Sequence, residues 1–459
     1  MQPETRSPHR LATGLLVVYL FLEISHTFEM LPSFIGVNLR LAMVMMSMCL
    51  LAALFTGGAL ESAKTPIVLM FTALTLWLML CTLTSQWRGG SVKTLTIWAM
   101  SYACVLVVPP LISNIDQCRK VYYALAFSLI PILFATVVFQ AQLQGREGTS
   151  FGTLSNPNDL AFSILVLIPF AVFVISSESA LNWKTIVCVL AIGFAIMKTL
   201  RTGSRGALLS ITIATLIVFF VGKMKTRLKM LAGTALICVI ALAATPDNVM
   251  RRYATVFNGT SYEADMDADE RSAVESSRAR KMLFEESVRV MWEYPVFGVG
   301  PGIFSAALAN EQEKRGELQT WHEAHNTFTQ LGSEAGIPAL LIYLAIVFYC
   351  LKRTISIFRS ARRDPDQIVI CRMAASLVMS LVIFVTCAAF GTYSYTVQLP
   401  VLAGLVQAFD VCVRKERTTA RAIVAATLPA PLAAPVLKPQ TPNYVRNSLL
   451  RKSRAGERV

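Results

Sequence analysis

An all-α polytopic membrane protein with about twelve transmembrane helices is the fold class that three observations predict. Of 459 residues, 54% are hydrophobic and only 15% charged, with a mean hydropathy of +0.55, more apolar surface than one soluble core can hide. The apolar residues come in runs of roughly 16 to 22, enough to cross about 30 Å of hydrocarbon as helix. Lys and Arg crowd into alternate short loops, as the positive-inside rule requires.

Taken in order, the runs lie near 11–28, 37–57, 65–84, 92–112, 121–139, 159–177, 184–200, 206–222, 229–245, 337–351, 371–391 and 396–413. None shows the ten-residue polar alternation of an outer-membrane strand, so helices are the spanning option. No signal-peptide cleavage site follows the first run, which therefore reads as a retained helix. With the N-terminus inside, the inner segments carry Arg6, Arg10, Lys64, Arg119, Lys120, Lys184, the cluster from Lys223 to Lys229, and Lys352, Arg353, Arg359, Arg362 and Arg363. The outer short loops hold Arg88, Arg146, Lys198, Arg201 and Arg205. Residues 414–459 are basic and rich in Pro and Ala between 429 and 442; they are expected to be a disordered cytoplasmic tail held loosely to anionic lipid. The net charge of +14 thus reflects topology, and no nucleic-acid partner is implied. Ten cysteines without a C-x-x-C pair support neither a disulfide framework nor a thiolate metal site.

The organisation that follows is helices one to nine over 1–245, a large outer loop over 246–336, helices ten to twelve over 337–413, and the tail. The loop carries fifteen acids against nine Lys or Arg in an otherwise basic chain, and a loop of that length is usually functional. "SAVESSRARKMLFEESVRVMWEY" reads as a helix with Val274, Arg278, Met282, Glu285, Arg289 and Trp292 along one mixed face. "GIFSAALANEQEKRG" reads as a second, stopped by Gly316. Thr320 and Glu323 form a capping-box pattern, which predicts a third helix carrying His322 and His325 in its first two turns.

Several clusters compete for a function. His322 and His325 stand three apart rather than four as in H-E-x-x-H, with no third ligand, so a zinc pair is disfavoured. "DMDAD" at Asp265 to Asp269 lacks the Gly and Glu of a calcium loop and reads as solvated acid. Gly298, Gly300 and Gly302 could form a phosphate nest ahead of a helix or merely a tight turn. Arg205 stands at the outer mouth of the eighth span and Arg40 near the outer end of the second, where an arginine wants a partner or a task; for Arg40 an ion pair with Glu23 is the plain alternative. Arg289, with Arg278 and Arg280, faces the same compartment. Arginine forks bind diphosphate oxygens and stabilise a departing diphosphate, and a histidine can take the proton of an attacking hydroxyl. Together they describe glycosyl transfer from a lipid diphosphate to an alcohol.

"AHNTFTQLGSEAGIPALL" resembles the signature of the O-antigen ligase and polymerase superfamily, in which a His followed by Asn, Ser or Gln precedes a G-x-x-G by nine residues. His325 and Asn326 are followed by nine residues and Gly336, with Ala339 in place of the last Gly. "FGTLSNPNDLAF", "TGSRGALLS" and "WEYPVFGVGPGIF" also resemble recurring segments of the superfamily, so the likeness spans roughly 150–345. It implies a C-type (GT-C) inner-membrane glycosyltransferase using no metal, nucleotide or other cofactor, with a periplasmic site; the charge distribution puts both termini in the cytoplasm. Its implied donor is an undecaprenyl diphosphate-linked glycan; the resemblance leaves the acceptor open, and the reading taken first is lipid A-core, as in an O-antigen ligase. A polymerase joining lipid-linked repeats is the alternative, and membrane lipids are the remaining partners. The resemblance makes His325 the catalytic residue and Arg205, Arg289, Arg40, Asn326, Asn156 and Asn158 the candidates for binding diphosphate or sugar. A solute transporter is the other class; no matched pair of broken helices marks the two halves, which weighs against it.

Overall fold

The computed structural model describes residues 7–37, 40–143, 145–178, 182–222, 268–319 and 321–427, with isolated positions at 224, 227, 228, 233, 249–251 and 253. The expected ninth span at 229–245 and the acidic stretch 265–267 fall outside these residues, as does Thr320. Among the described residues seven helices are long and apolar enough to cross a membrane: Pro66–Leu83, Arg88–Val107, Ile115–Val138, Pro157–Ser177, Trp183–Arg201, Thr327–Ala361 and Pro365–Ala388.

The N-terminal run is not one straight helix. α1 (Ser7–Ile24) and α2 (Thr27–Ile35) are bent by 73° where His26 takes a left-handed φ of 56°. α3 (Leu41–Phe55) follows and is only 15 residues long. α4 (Gly58–Ala63), α5 (Pro66–Leu83), α6 (Arg88–Val107), α7 (Ile115–Phe127) and α8 (Leu129–Val138) lead to a hairpin, β1 (Gln140–Leu143) with β2 (Arg146–Thr149), in which Leu143 pairs with Arg146. α9 (Pro157–Leu165), α10 (Ile168–Ser177), α11 (Trp183–Arg201) and α12 (Arg205–Val221) complete the N-terminal set. Beyond come α13 (Ala268–Glu293), α14 (Phe304–Lys314), α15 (Thr327–Ala361), α16 (Ile368–Ala388) and α17 (Gln398–Thr427). Residues 1–413 and 414–459 are separate units. In the first, α15 packs on α16, α13 and α5, while α10 packs on α16, α7 and α11.

The hairpin buries charge. Glu147, on β2, pairs with Lys198 at 3.0 Å and Arg201 at 3.1 Å, both on α11, so two cations counted as outer-loop charges serve as struts. Arg146, 7% exposed, is used in the same way, as the site geometry shows below.

α15 runs for 35 residues but breaks at Gly336, where φ is 79°. Pro338 has no N–H for the carbonyl of Glu334 four residues back, and its ring would crowd that oxygen. Backbone groups freed by such a break must be satisfied within the protein if they lie among apolar helices. Ile337 N–H donates to Pro295 O at 2.8 Å, Val299 N–H to Ser333 O at 3.0 Å and Gly300 N–H to Glu334 O at 2.9 Å. Trp77 Nε1–H, from α5, donates to Ala335 O at 2.9 Å, and its ring stacks on Phe297 at 5.4 Å. The segment "YPVFGVGPG" therefore replaces missing helical hydrogen bonds. Ala339 is fully buried just past the break, where a small residue is what fits.

A Cβ on Gly336 would drive into the carbonyl of Val296 while φ stays left-handed. Gly336→Ala should cost more than the roughly 1–3 kcal/mol of the backbone strain alone. Gly316→Ala, at φ 70° but in open space, should incur only the strain. Thermal unfolding of the two purified variants checks this, and equal losses would refute it.

Candidate functional site

α15 starts where it does because Asn326 caps it. Its Oδ1 accepts the N–H groups of Phe328 at 2.9 Å and Thr329 at 3.1 Å, two of the donors every helix start leaves orphaned. The helix predicted from Thr320 and Glu323 does not form: residues 321–326 are non-helical, and His325 takes φ 49°, uncommon for a residue with a Cβ. Glu323 instead accepts a hydrogen bond from the Thr392 hydroxyl. Ala324 is 2% exposed in a small apolar cluster with Leu283 and Val290 of α13 and Val299, Ile303 and Phe304 beyond it. Held from both sides, His325 is half-buried, while His322 is exposed. Burial, the charge of Arg280 and that of His322 push the His325 imidazole down from its ordinary value to about 4. It is therefore neutral near pH 7, with a lone pair available.

Arg280 reaches this position through the periodicity of α13. It shares a stripe with Leu283, Ser287 and Val290, all buried. The mixed face expected from sequence is not the packed one: Met282 is 38% and Trp292 67% exposed. The packed stripe is chosen by contact with α15 and the glycine segment, which pattern alone does not show. Burial lowers the Arg280 pKa, and the nearby charge of Arg205 lowers it further. Among the described residues no carboxylate lies within ion-pair distance of Arg280. Arg205 is the first residue of α12, after the Ser204 cap, so a cation stands at the positive end of a helix dipole. Two guanidinium groups and a neutral imidazole thus share one electrostatic neighbourhood, an arrangement suited to an anion.

The loop after α16 ties these elements together. Asn326 Nδ2 donates to Ala389 O at 3.2 Å, Thr327 Oγ1 to Gly391 O at 2.8 Å, and Tyr393 N–H to Thr327 Oγ1 at 2.9 Å. A Cβ on Gly206 would meet Phe390 at 2.9 Å, so glycine lets the start of α12 close on the same loop. Tyr393 OH donates to Asp159 Oδ1 at 3.1 Å, and its ring stacks on Phe162 at 4.1 Å. Burial and the Asp159 carboxylate raise the Tyr393 pKa well above its ordinary value, keeping the phenol protonated. Asp159 stands in the first turn of α9, which Asn156 caps through Asn158 N–H at 2.9 Å. Arg146 donates to Asn158 Oδ1 at 2.8 Å and Thr202 O at 2.7 Å, joining "NPND" to "TGSRG".

Residues 186–344, about a third of the chain, match the family model described as O-antigen ligase. This segment is similar to the O-antigen ligase family. A search of curated proteins finds no match. The matched segment contains Arg205, Arg280, Arg289, His325 and Asn326; Arg40, Asn156, Asn158, Asp159 and Tyr393 lie outside it.

Not every candidate gathers at His325. Arg289 is engaged on its own helix, with Glu286 at 2.8 Å and Glu293 at 2.7 Å. Arg40 is exposed at the start of α3, and the charges that act on His325 are those of Arg280 and His322. The three asparagines bond to backbone or to Arg146, as above. Of the two readings of Gly298, Gly300 and Gly302, phosphate nest or tight turn, the hydrogen bonds favour a turn that the protein itself fills. Gly302 N–H and Phe304 N–H donate to the Glu334 carboxyl oxygens at 2.9 and 3.2 Å, so these donors are already taken by a side chain of the protein. Sequence reasoning passed over Arg280 as a site residue, although its spacing to Leu283 and Ser287 is a usable signal; for Tyr393 and Asp159 there was none.

Proposed function

We propose that this chain moves an oligo- or polysaccharide from undecaprenyl diphosphate to a hydroxyl on lipid A-core, as an inner-membrane O-antigen ligase of GT-C-type architecture with its site on the periplasmic face. The observation that carries this reading is the neutral His325 beside Arg280, which in turn feels Arg205. On this reading the acceptor hydroxyl gives its proton to His325 as its oxygen bonds to the anomeric carbon. The bond from that carbon to the diphosphate breaks, and the diphosphate leaves with the electron pair. Arg280 and Arg205 meet the growing negative charge with guanidinium forks, preorganised and partly desolvated. Attack opposite the leaving group inverts the anomeric centre, by analogy with inverting glycosidases. Diphosphate binding also offsets the positive field on His325, which becomes a better base once the donor is seated. Asn326, Asn156 and Asn158 act on this reading by fixing the helix starts around the site.

Purified protein given undecaprenyl diphosphate-linked glycan and lipid A-core should release undecaprenyl diphosphate and form the glycosylated core. Growth of the lipid-linked glycan without core would identify a polymerase. Altered solute uptake with no glycan transfer of either kind would reject the proposal in favour of a transporter.

A further inference from the structure

Glu334 has no part in the chemistry just described, yet it is 3% exposed and among the described residues pairs with no cation. Its carboxylate is met by oriented donors alone: Gly302 N–H at 2.9 Å, Phe304 N–H at 3.2 Å and Tyr395 OH at 2.8 Å. Its own carbonyl takes Gly300 N–H at 2.9 Å. Three glycines permit this approach. Gly298, Gly300 and Gly302 have φ of 64°, 120° and 73°, and a Cβ on Gly298 would overlap the backbone of Glu334.

Position along the chain gives the contact its meaning. The half-helix from Thr327 to Ala335 has His325 just ahead of its start and Glu334 at its end, so it is a rigid rod between the two. α13, which carries Arg280, runs through Tyr294 and Pro295 into the glycine segment that Glu334 grips. The apolar cluster of Leu283, Val299, Ile303 and Ala324 joins the same parts next to His325. We infer that Glu334 is a positioning residue that, by holding the glycine segment, fixes Arg280 against His325. This rests on the transferase reading only in giving that spacing a catalytic use.

Glu334→Gln keeps the shape but turns an amide NH2 toward one of the two backbone N–H groups, donor against donor. The glycine segment must then shift and draw Arg280 away from His325. Because Arg280 helps hold the His325 pKa down, its retreat raises that pKa. The midpoint can be read without any glycan, by following diethylpyrocarbonate modification of His325 against pH by mass spectrometry in the full chain in nanodiscs. His322 and Glu323 are the other titrating groups beside it, and His322→Gln serves as the background for both proteins compared.

The E334Q midpoint should rise by about one pH unit, and kcat/KM for glycan transfer should fall about tenfold. Tyr395→Phe removes one donor of three and should move the midpoint the same way by less; it carries the test if E334Q does not fold. A merely structural Glu334 would lower the yield of folded protein and leave the midpoint where it is, and that result overturns the inference. A moved midpoint in a protein that transfers no glycan would sink the transferase reading and leave the positioning role standing.

Discussion

His325→Ala lowers glycan transfer by about 10²–10⁴-fold, the usual contribution of a positioned general base, while the protein still inserts and accumulates. The expectation follows from what the side chain does and does not hold up. His325 is half-buried, and the backbone tie beside it is made by Asn326 and Ala324, which the substitution leaves intact. Removing the imidazole also relaxes nothing on α15, whose cap is Asn326. A left-handed φ of 49° is no better for Ala than for His, so stability changes little. The pH profile of the wild type gives the second half of the test. On the proposed mechanism neutral imidazole is the active form and protonation abolishes it. A pKa lowered to about 4 places the acid limb of kcat/KM well below the ordinary histidine range. His322→Ala, at an exposed residue, should retain most activity. Transfer at near-normal rate by the His325→Ala protein would remove the base from the mechanism.

Arg280→Gln is expected to lose about 10²–10³-fold in kcat, the scale of one preorganised charge-stabilising donor. It should also move the acid limb of kcat/KM upward, because the positive charge of Arg280 is one of the influences depressing the His325 pKa. The two effects have opposite bearing on His325 and one cause, so both must appear together. Arg280→Lys keeps the charge but not the fork; it should hold the limb near its wild-type position and still lose rate. Arg289→Gln breaks pairs with Glu286 and Glu293 on the face of α13 away from the site, at side chains 21–42% exposed, and should change rate by less than threefold or so. A larger loss at Arg289 than at Arg280 would return the role to the residue that sequence favoured.

The contrast between these arginines shows how far the pattern of residues could go. Both lie on one helix that was readable from its periodicity, nine residues apart. Which stripe of α13 is buried depends on α15 and on the glycine segment, and neither contact leaves a trace in spacing. The two histidines behave similarly. The spacing of Asn326 to Gly336 set His325 apart from His322 as a candidate, whereas the helix assigned to both does not form, because the Thr320–Glu323 pattern carries no sign that Glu323 is taken by Thr392.

By itself the sequence determined the membrane-spanning class and the position of most of the apolar helices, and its spacing singled out His325 as a candidate. These are local matters: hydropathy over a window, a fixed spacing. Only the tertiary structure decided that the α15 helix breaks at Gly336, that Arg280 acts on His325 and Arg205 on Arg280, that the loop holding Tyr393 ties the start of α15 to α9, and that the glycine nest is occupied by Glu334. Those decisions rest on hydrogen bonds and burial between residues far apart in the chain, such as Tyr393 with Asp159 and Glu334 with Gly302. A short-range pattern records the propensity of a segment; the partner that satisfies a buried N–H or sets the field on an imidazole is chosen by packing.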